Sequence, residues 1–384
     1  MCHLSLETLN TQISKFWEIE EVVSDLKYLT NEEIQCEKHF RNTYKRGEDG
    51  RFIVKLPFKY NKDNLGESRS QAVRRFYSLE KQMKGNPRLK EEYTKFIHEY
   101  AELNHMEKVE EEFPLNKGTF YLPHHAVIKE SSTTTKLRVV FDGSAKSTSQ
   151  ISVNDILMIG PNIQQDLFTI LVKFRLYRYI LSADITKMYR QIWIDSEQRD
   201  LQRIIWRDHQ QDVLQTYRLK TVTYGLTSSS YLAIRCLHQL AQDFINEYPT
   251  ISGIIKNDFY VDDLLTGSDD IDDVLHIRNQ LDFILKSGGF TLRKWASNCK
   301  QLQLSSDDSD ISDFVNLDKG GETKTLGLLW DSREDVLKYT INVPDRKHTI
   351  TKRNILSTIS QLFDPLQLVN PVIITAKILI QRLW

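Results

Sequence analysis

The chain has 384 residues, 40% of them hydrophobic and 27% charged, enough to bury one large core or two to three smaller subdomains without disulfide or metal staples. Lys and Arg number 51 against 52 Asp and Glu, so overall charge does not mark a nucleic-acid binder and any basic groove has to come from local segregation. Cys2, Cys36, Cys236 and Cys299 lack the paired spacing of a zinc site or a disulfide framework, and Met1 to Leu9 lacks the basic and apolar regions of a secretory signal. A reducing, cytoplasmic setting is therefore expected. The apolar stretch Leu366 to Ile380 is interrupted by Asn370, Pro371 and Lys377, which suits a buried or amphipathic helix rather than a membrane span.

In chain order, residues 1 to about 112 are charged and helix-like, with Phe76, Leu79 and Met83 at helical spacing and a single strand-like run, Arg51 to Phe58. Lys81, Lys84, Arg88, Lys90 and Lys95 could meet a nucleic-acid backbone, but Glu80, Glu91 and Glu92 among them favour a solvated helix face. Between Gly118 and Asp142 the pattern changes to short β-rich pieces at Thr119 to Leu122, Ala126 to Lys129 and Leu137 to Phe141. His124 and His125 have no other His or Cys at supporting spacing, so alternate faces of a strand explain them better than a metal does.

The stretch from Tyr179 to Lys294 reads in order as a strand, Tyr179 to Asp184; a helix, about Ser228 to Tyr248; a hairpin with arms Ile254 to Val261 and Leu264 to Gly267; a helix, about Ile271 to Ser287, stopped by Gly288-Gly289; and a last strand beginning over Phe290 to Lys294. Further pieces are inserted between Met188 and Thr223. The sum is an α+β fold with a ferredoxin-like split βαβ unit, the topology of a polymerase palm. Its first strand lies antiparallel to the strand after the hairpin turn, so Asp184 approaches Asp262 and Asp263. Beyond Lys300 an acidic, serine-rich loop, Ser305 to Asp318, precedes a second hairpin, Thr325 to Trp330 and Val336 to Ile341, and then a mostly helical end from Thr349 to Trp384 with Pro365 and Pro371 as breakers.

Clustered carboxylates without a basic partner remain anionic only if a cation neutralises them, and hard oxygen ligands favour Mg²⁺ or Mn²⁺. Two such ions could activate a primer 3′-hydroxyl and stabilise the leaving pyrophosphate. An Asp pair is also ordinary in a hairpin turn, where Asp tolerates the backbone conformation. The βαββαβ setting favours the metal reading over that one.

Six segments carry a resemblance: Tyr121-Leu122-Pro123-His124-His125, Lys136 to Asp142, Asp184-Ile185-Thr186-Lys187-Met188-Tyr189, Tyr224-Gly225-Leu226-Thr227-Ser228-Ser229, Tyr260-Val261-Asp262-Asp263 and Leu326-Gly327. In that order and spacing the chain resembles the reverse transcriptases of LTR retrotransposons, most closely the BEL/Pao type. The resemblance implies a right hand. Residues 1–115 form a charged, mostly helical N-terminal region and 116–178 the fingers. Residues 179–300 form the palm with inserted fingers elements, and 301–384 a primer-grip hairpin with a partial thumb or connection. It implies two Mg²⁺ or Mn²⁺ ions held by Asp184, Ile185 and Asp262, with Asp263 in support. It places Tyr189 under the sugar, where the ring clashes with a ribose 2′-hydroxyl; the bland alternative is a core aromatic beside Trp193. Arg138 and Lys129 would contact the triphosphate of a dNTP, and solvated strand charges remain the alternative for Lys129. Gly225 would let the backbone approach nucleotide and template, or is simply a turn glycine. Lys294 would protonate pyrophosphate, and Tyr260, Leu326 and Gly327 would touch nucleic acid, with a buried strand an equal account of the last two.

The family often carries a proline where this chain has Ser230, so the local turn is expected to differ. The implied activity is RNA-directed DNA polymerisation on a primed RNA or DNA template, in cytoplasm or in retrotransposon particles. An RNA-directed RNA polymerase is the enzymatic rival, against which Tyr189 argues. A catalytically silent or domesticated nucleic-acid-binding remnant is the other reading. It draws on the absence of an Asp-Thr-Gly or Asp-Ser-Gly protease loop and on the short stretch after Trp330. The region from about Thr349 is one that similar elements have catalogued with a Pao peptidase family, although it shows no peptidase chemistry.

Overall fold

The computed structural model describes residues 29–110, 118–128, 137–299, 322–325, 328–338, 351–360 and 364–383. Helix α1 (Asn31–Thr43) starts at a capping box in which Thr30 and Glu33 satisfy each other's backbone N–H groups. A short hairpin, β1 (Lys45–Arg46) and β2 (Phe52–Val54), follows, and only β2 falls within the predicted strand-like run, near its start. Helices α2 (Arg69–Lys84) and α3 (Pro87–Glu102) bury Phe76, Leu79 and Met83, and Leu89, Tyr93, Ile97 and Tyr100, at helical spacing. The basic residues Lys81, Lys84, Arg88, Lys90 and Lys95 stay exposed, and Arg88 pairs with Glu92.

Strand β3 (Met106–Val109) leads to β4 (His124–Ile128) and β5 (Leu137–Phe141), which pair antiparallel. The predicted piece at Thr119 to Leu122 makes only an isolated bridge, Tyr121 to Arg203. His124 and His125 do point to opposite faces. His124 is buried, with one ring nitrogen on the Tyr93 hydroxyl and the other on the Ile205 carbonyl, whereas His125 is exposed. Two helices, α4 (Val153–Ile156) and α5 (Leu167–Phe174), lead into the palm.

The palm is a four-stranded sheet in the order β10-β11-β6-β12, formed by β6 (Tyr179–Ile185), β10 (Phe259–Tyr260), β11 (Asp263–Ser268) and β12 (Leu292–Ser297). Every neighbouring pair in it is antiparallel, as a split βαβ unit requires. Between β6 and the first palm helix come β7 (Trp193–Ile194), β8 (Arg203–Trp206) and β9 (Gln215–Leu219); β8 and β9 form a sheet with β3, and β7 adds to β2 in parallel.

Two expectations fail in the palm helices. Helix α6 (Ser229–Asp243) stops before Tyr248, and Ile254 to Asn257, read from sequence as part of a hairpin arm, belongs to α7 (Pro249–Asn257). Pro249 is tolerated in the first turn because its missing N–H has no partner to lose there. Ile251, Ile254 and Ile255 then bury one helical face, which outweighs the strand preference of their branched side chains. Only Phe259 and Tyr260 remain extended. Helix α8 (Ile271–Ser287) keeps its predicted bounds, with Asp270 accepting from two backbone N–H groups at its start.

Strands β14 (Leu328–Asp331) and β15 (Val336–Lys338) form the predicted hairpin, and β13 (Glu322–Thr325) adds a third strand on the other side of β14. Trp330 is buried edge-on to Phe174 of α5, which fastens this sheet to the palm. In the last described segments, α9 (Lys352–Ser360) and α10 (Asn370–Leu383), Pro371 lies in the first turn of α10 instead of breaking it. No helix among the described residues is long and apolar enough to cross a membrane.

Candidate active site

Asp184 is the penultimate residue of β6 and Asp263 the first of β11, and the two are direct cross-strand partners. Directly opposed residues of an antiparallel pair share a face, so two like charges stand side by side. Asp262 lies in the two-residue turn between Tyr260 and Asp263, and its carbonyl accepts from the Ile185 N–H at 2.8 Å. The preceding residue, Val261, has φ +58°, a conformation rarely adopted by a β-branched residue. The Gln164 side chain, which accepts from the Val261 N–H at 2.9 Å, helps to hold the turn in that shape. Tyr260 closes the turn opposite Asp263 and packs beside the Phe174–Trp330 cluster.

Burial raises the proton affinity of all three carboxylates. For Asp262 the Asp184 charge adds to it, and Asp263, facing both, is pushed up to about 7. The opposing cation is Lys294, whose Nζ lies 3.5 Å from Asp184 Oδ2. Its approach depends on a bulge. The β12–β6 register slips between Arg293 and Ala296, and Lys294 takes φ +55°. Arg293 is the formal partner of Asp184, yet the bulge aims Lys294 at the carboxylate.

Among the described residues no set of three His, Cys, Asp or Glu side chains is arranged to hold a metal ion. Chemically the residues still fit a hard divalent cation: three oxygen donors, mutually repelling and half-buried, face one lysine. Ile185 has a buried side chain, so only its backbone could join such a set.

Tyr189 follows β6 in a 3-10 turn, Met188–Gln191. Its ring is partly buried against the main core, and Trp193 is not its ring partner. It packs on Tyr224 at 4.5 Å between centroids, and its hydroxyl meets Ser230 Oγ at 3.0 Å. Trp193 stands elsewhere, donating to Asp49 under Arg51 and Lys220. Burial above all raises the hydroxyls of both Tyr189 and Tyr224, and the charge of Asp262 adds to it. Arg138, exposed on β5, is among the cations that act on Asp262.

Gly225 has φ +98°, and a Cβ there would overlap the Phe141 carbonyl oxygen. The close approach it permits is therefore to the end of β5. Asn154 locks the same turn, donating to the Gly225 carbonyl and accepting from the Thr227 N–H. Lys129, Leu326 and Gly327 lie outside the described residues.

The scaffold under Tyr189 is invisible to motif reading. Buried Arg190 donates to His105 Nδ1 at 2.9 Å and to Glu99 at 2.7 Å, and lies over the Tyr100 ring. Glu99 also pairs with Lys187, so helix α3 grips the chain on both sides of Tyr189. Burial first, then the charge of Arg190, hold His105 down to about 3, so it stays a neutral acceptor. The only sequence signal was an arginine directly after the tyrosine.

The family model described as "Reverse transcriptase (RNA-dependent DNA polymerase)" matches residues 128–298, a span that runs from the end of β4 to just beyond β12. The chain carries a reverse transcriptase domain. A second model, described as "Pao retrotransposon-like RNaseH-like domain", matches residues 351–384, and the two matches in this order support a fragment of the BEL/Pao retrotransposon type. The description of that second region is RNase H-like, not peptidase, and the sequence shows no peptidase chemistry there.

Solved structures similar to this chain include a prototype foamy virus protease-reverse transcriptase, 18% identical with TM-score 0.41, covering 54% of this chain and 24% of that one. The foamy viral enzyme in complex with ds DNA is 16% identical with TM-score 0.45, over 68% of this chain and 38% of that one. Its complex with RNA/DNA hybrid is 16% identical with TM-score 0.47, over 72% and 31%. The chain thus spans well under half the length of these structures. No curated protein matches it.

Proposed function

We propose that this chain is an RNA-directed DNA polymerase that adds dNTPs to a primer 3′ end on an RNA or DNA template. The observation that carries the reading is the convergence of Asp184 and Asp263 as cross-strand partners with Asp262 tied back onto Ile185. Asp184 and Asp262, with the Ile185 carbonyl and with Asp263 in support, would hold two Mg²⁺ or Mn²⁺ ions. Such ions, when bound, lower the pKa of the primer hydroxyl and offset charge on the departing pyrophosphate. Tyr189 presents its ring to the sugar and excludes a 2′-hydroxyl, while Arg138, with Lys129, draws the triphosphate toward the turn. Lys294, 3.5 Å from Asp184, would hand a proton to the leaving pyrophosphate. Gly225 keeps its turn low against β5 so that the nucleotide site stays open.

Residues 116–178 would then be the fingers, 179–300 the palm and 301–384 the start of thumb and connection, with Tyr260, Leu326 and Gly327 on the primer. Duplexes of the two kinds named for the foamy viral complexes, ds DNA and RNA/DNA hybrid, are the partners proposed for this chain. Work in cytoplasm or in retrotransposon particles is part of the same reading. The test is primer extension with Mg²⁺ and dNTPs by the purified chain and by Asp262→Asn. Extension by the parent and its loss in the variant support the proposal. A folded parent that binds primer–template without extending it identifies instead a silent nucleic-acid-binding remnant.

A further inference from the structure

The Tyr189 ring is held by groups from outside its own turn. Its hydroxyl stands 3.0 Å from the Ser230 hydroxyl, and its face meets Tyr224 at a 45° tilt. Ser230 is the second residue of α6, a helix anchored by buried Tyr231, Leu232, Ala233, Cys236 and Leu237, so its hydroxyl is placed by a packed element and not by a loop. From the other side, Arg190 and Lys187 are fixed on Glu99, which sets the backbone of the Tyr189 turn. What this leaves free is rotation of the ring itself. Tyr224 limits that rotation on one face, and the Ser230 hydroxyl supplies the directional contact at the ring's tip.

We infer that Ser230 is a specificity-determining positioning residue whose hydroxyl holds the Tyr189 ring in the orientation that blocks a ribose 2′-hydroxyl. The inference rests on the proposed placement of Tyr189 under the incoming sugar. A ring that swings away for part of the time excludes the 2′-hydroxyl only for the remainder, so selectivity follows the population of the blocking orientation. A net hydrogen bond of ~1 kcal/mol corresponds to about a fivefold change in that population.

The experiment compares dATP and ATP as substrates on one primer–template for the parent, Ser230→Ala, Ser230→Thr, Tyr189→Phe, Tyr189→Ala and the Tyr189→Phe/Ser230→Ala double variant. The ratio of kcat/KM for dATP over ATP should fall about fivefold in Ser230→Ala and stay at the parent value in Ser230→Thr, which keeps the hydroxyl. Tyr189→Phe should lower it similarly, with no further fall in the double variant, because both substitutions remove the same bond. An unchanged ratio in Ser230→Ala, or independent losses that add in the double variant, overturns the inference. Tyr189→Ala separates two kinds of failure. If it leaves the ratio unchanged, the ring does not face the sugar and the functional reading falls together with the inference. If it lowers the ratio while Ser230→Ala does not, only the inference falls. Dissociation constants of dATP and ATP from the protein–primer–template complex in Ca²⁺ give the same ratio without turnover, with the same outcomes for and against.

Discussion

Asp184 and Asp263 oppose each other directly across the β6–β11 pair, and the Ile185 N–H binds the Asp262 carbonyl one step further on, so the strand ladder itself forces three carboxylates together. Their repulsion is a cost that folding tolerates and a cation relieves.

That cost predicts a stabilising substitution. Burial and the two neighbouring aspartates push Asp263 up to about 7, far above a carboxyl in the unfolded chain. The folded state therefore binds this proton more tightly, and the associated stability is present at acid pH and lost as pH rises towards and through about 7. In EDTA, Asp263→Asn should raise the thermal midpoint relative to the parent by an amount that grows between pH 5 and pH 8, corresponding to at least ~1 kcal/mol of unfolding free energy. Added Mg²⁺ should stabilise the parent more than the variant. A midpoint difference that does not change with pH contradicts the account.

How much of this was legible in the sequence depended on whether the signal was local. Strand β6 and helix α8 were read nearly to the residue because local periodicity and the Gly288-Gly289 stop agree there. The meeting of Asp184 with Asp262 and Asp263 was legible from strand order alone. Helix α7 was misread because Ile251, Ile254 and Ile255 have strand-favouring side chains at helical spacing. Lys294 reaches Asp184 only through a bulge, and Ser230 meets Tyr189 across 41 residues of sequence. No local pattern encodes either contact, nor the buried Arg190–His105–Glu99 scaffold.

On the proposed metal-binding role of Asp184, Lys294 and a divalent cation would compete for the same carboxylate oxygens. Lys294→Met should therefore tighten Mg²⁺ binding, measured calorimetrically without nucleotide. The lysine is half-exposed at 3.5 Å, so screening limits the gain to about threefold or less. If Lys294 also protonates pyrophosphate, kcat falls in the same variant while the Mg²⁺ requirement drops. Weaker Mg²⁺ binding in Lys294→Met contradicts the competition.

Gly225 is predicted to tolerate no side chain. At φ +98° an alanine is strained, and its methyl would overlap the Phe141 carbonyl oxygen, which belongs to backbone and cannot rotate aside. Gly225→Ala should cost ~2–4 kcal/mol of unfolding free energy in denaturant titration. Loss of extension with unchanged stability would assign the glycine to the nucleotide instead of to β5.

Glu37 joins the N-terminal helix to the palm. Its carboxylate accepts from Arg235 at 3.0 Å and from the Tyr231 hydroxyl at 2.7 Å, both on α6, and from Arg41 on its own helix. Burial on its own raises the carboxyl, but these hydrogen bonds outweigh it and hold Glu37 down to about 2. A depressed folded-state value means the unfolded chain binds the proton more readily. The stabilisation is therefore complete above the ordinary carboxyl range, near 4.5, and is lost as pH falls from there towards about 2. Glu37→Gln should lower stability at pH 7 by ~1–3 kcal/mol, since Arg235 keeps its burial and loses its charge partner. The gap between parent and variant should close as the pH of the unfolding experiment is taken from 5 to 3. A gap that persists at pH 3 would mean that the amide packs poorly in the site and that the carboxylate charge contributes little to holding α1 against α6.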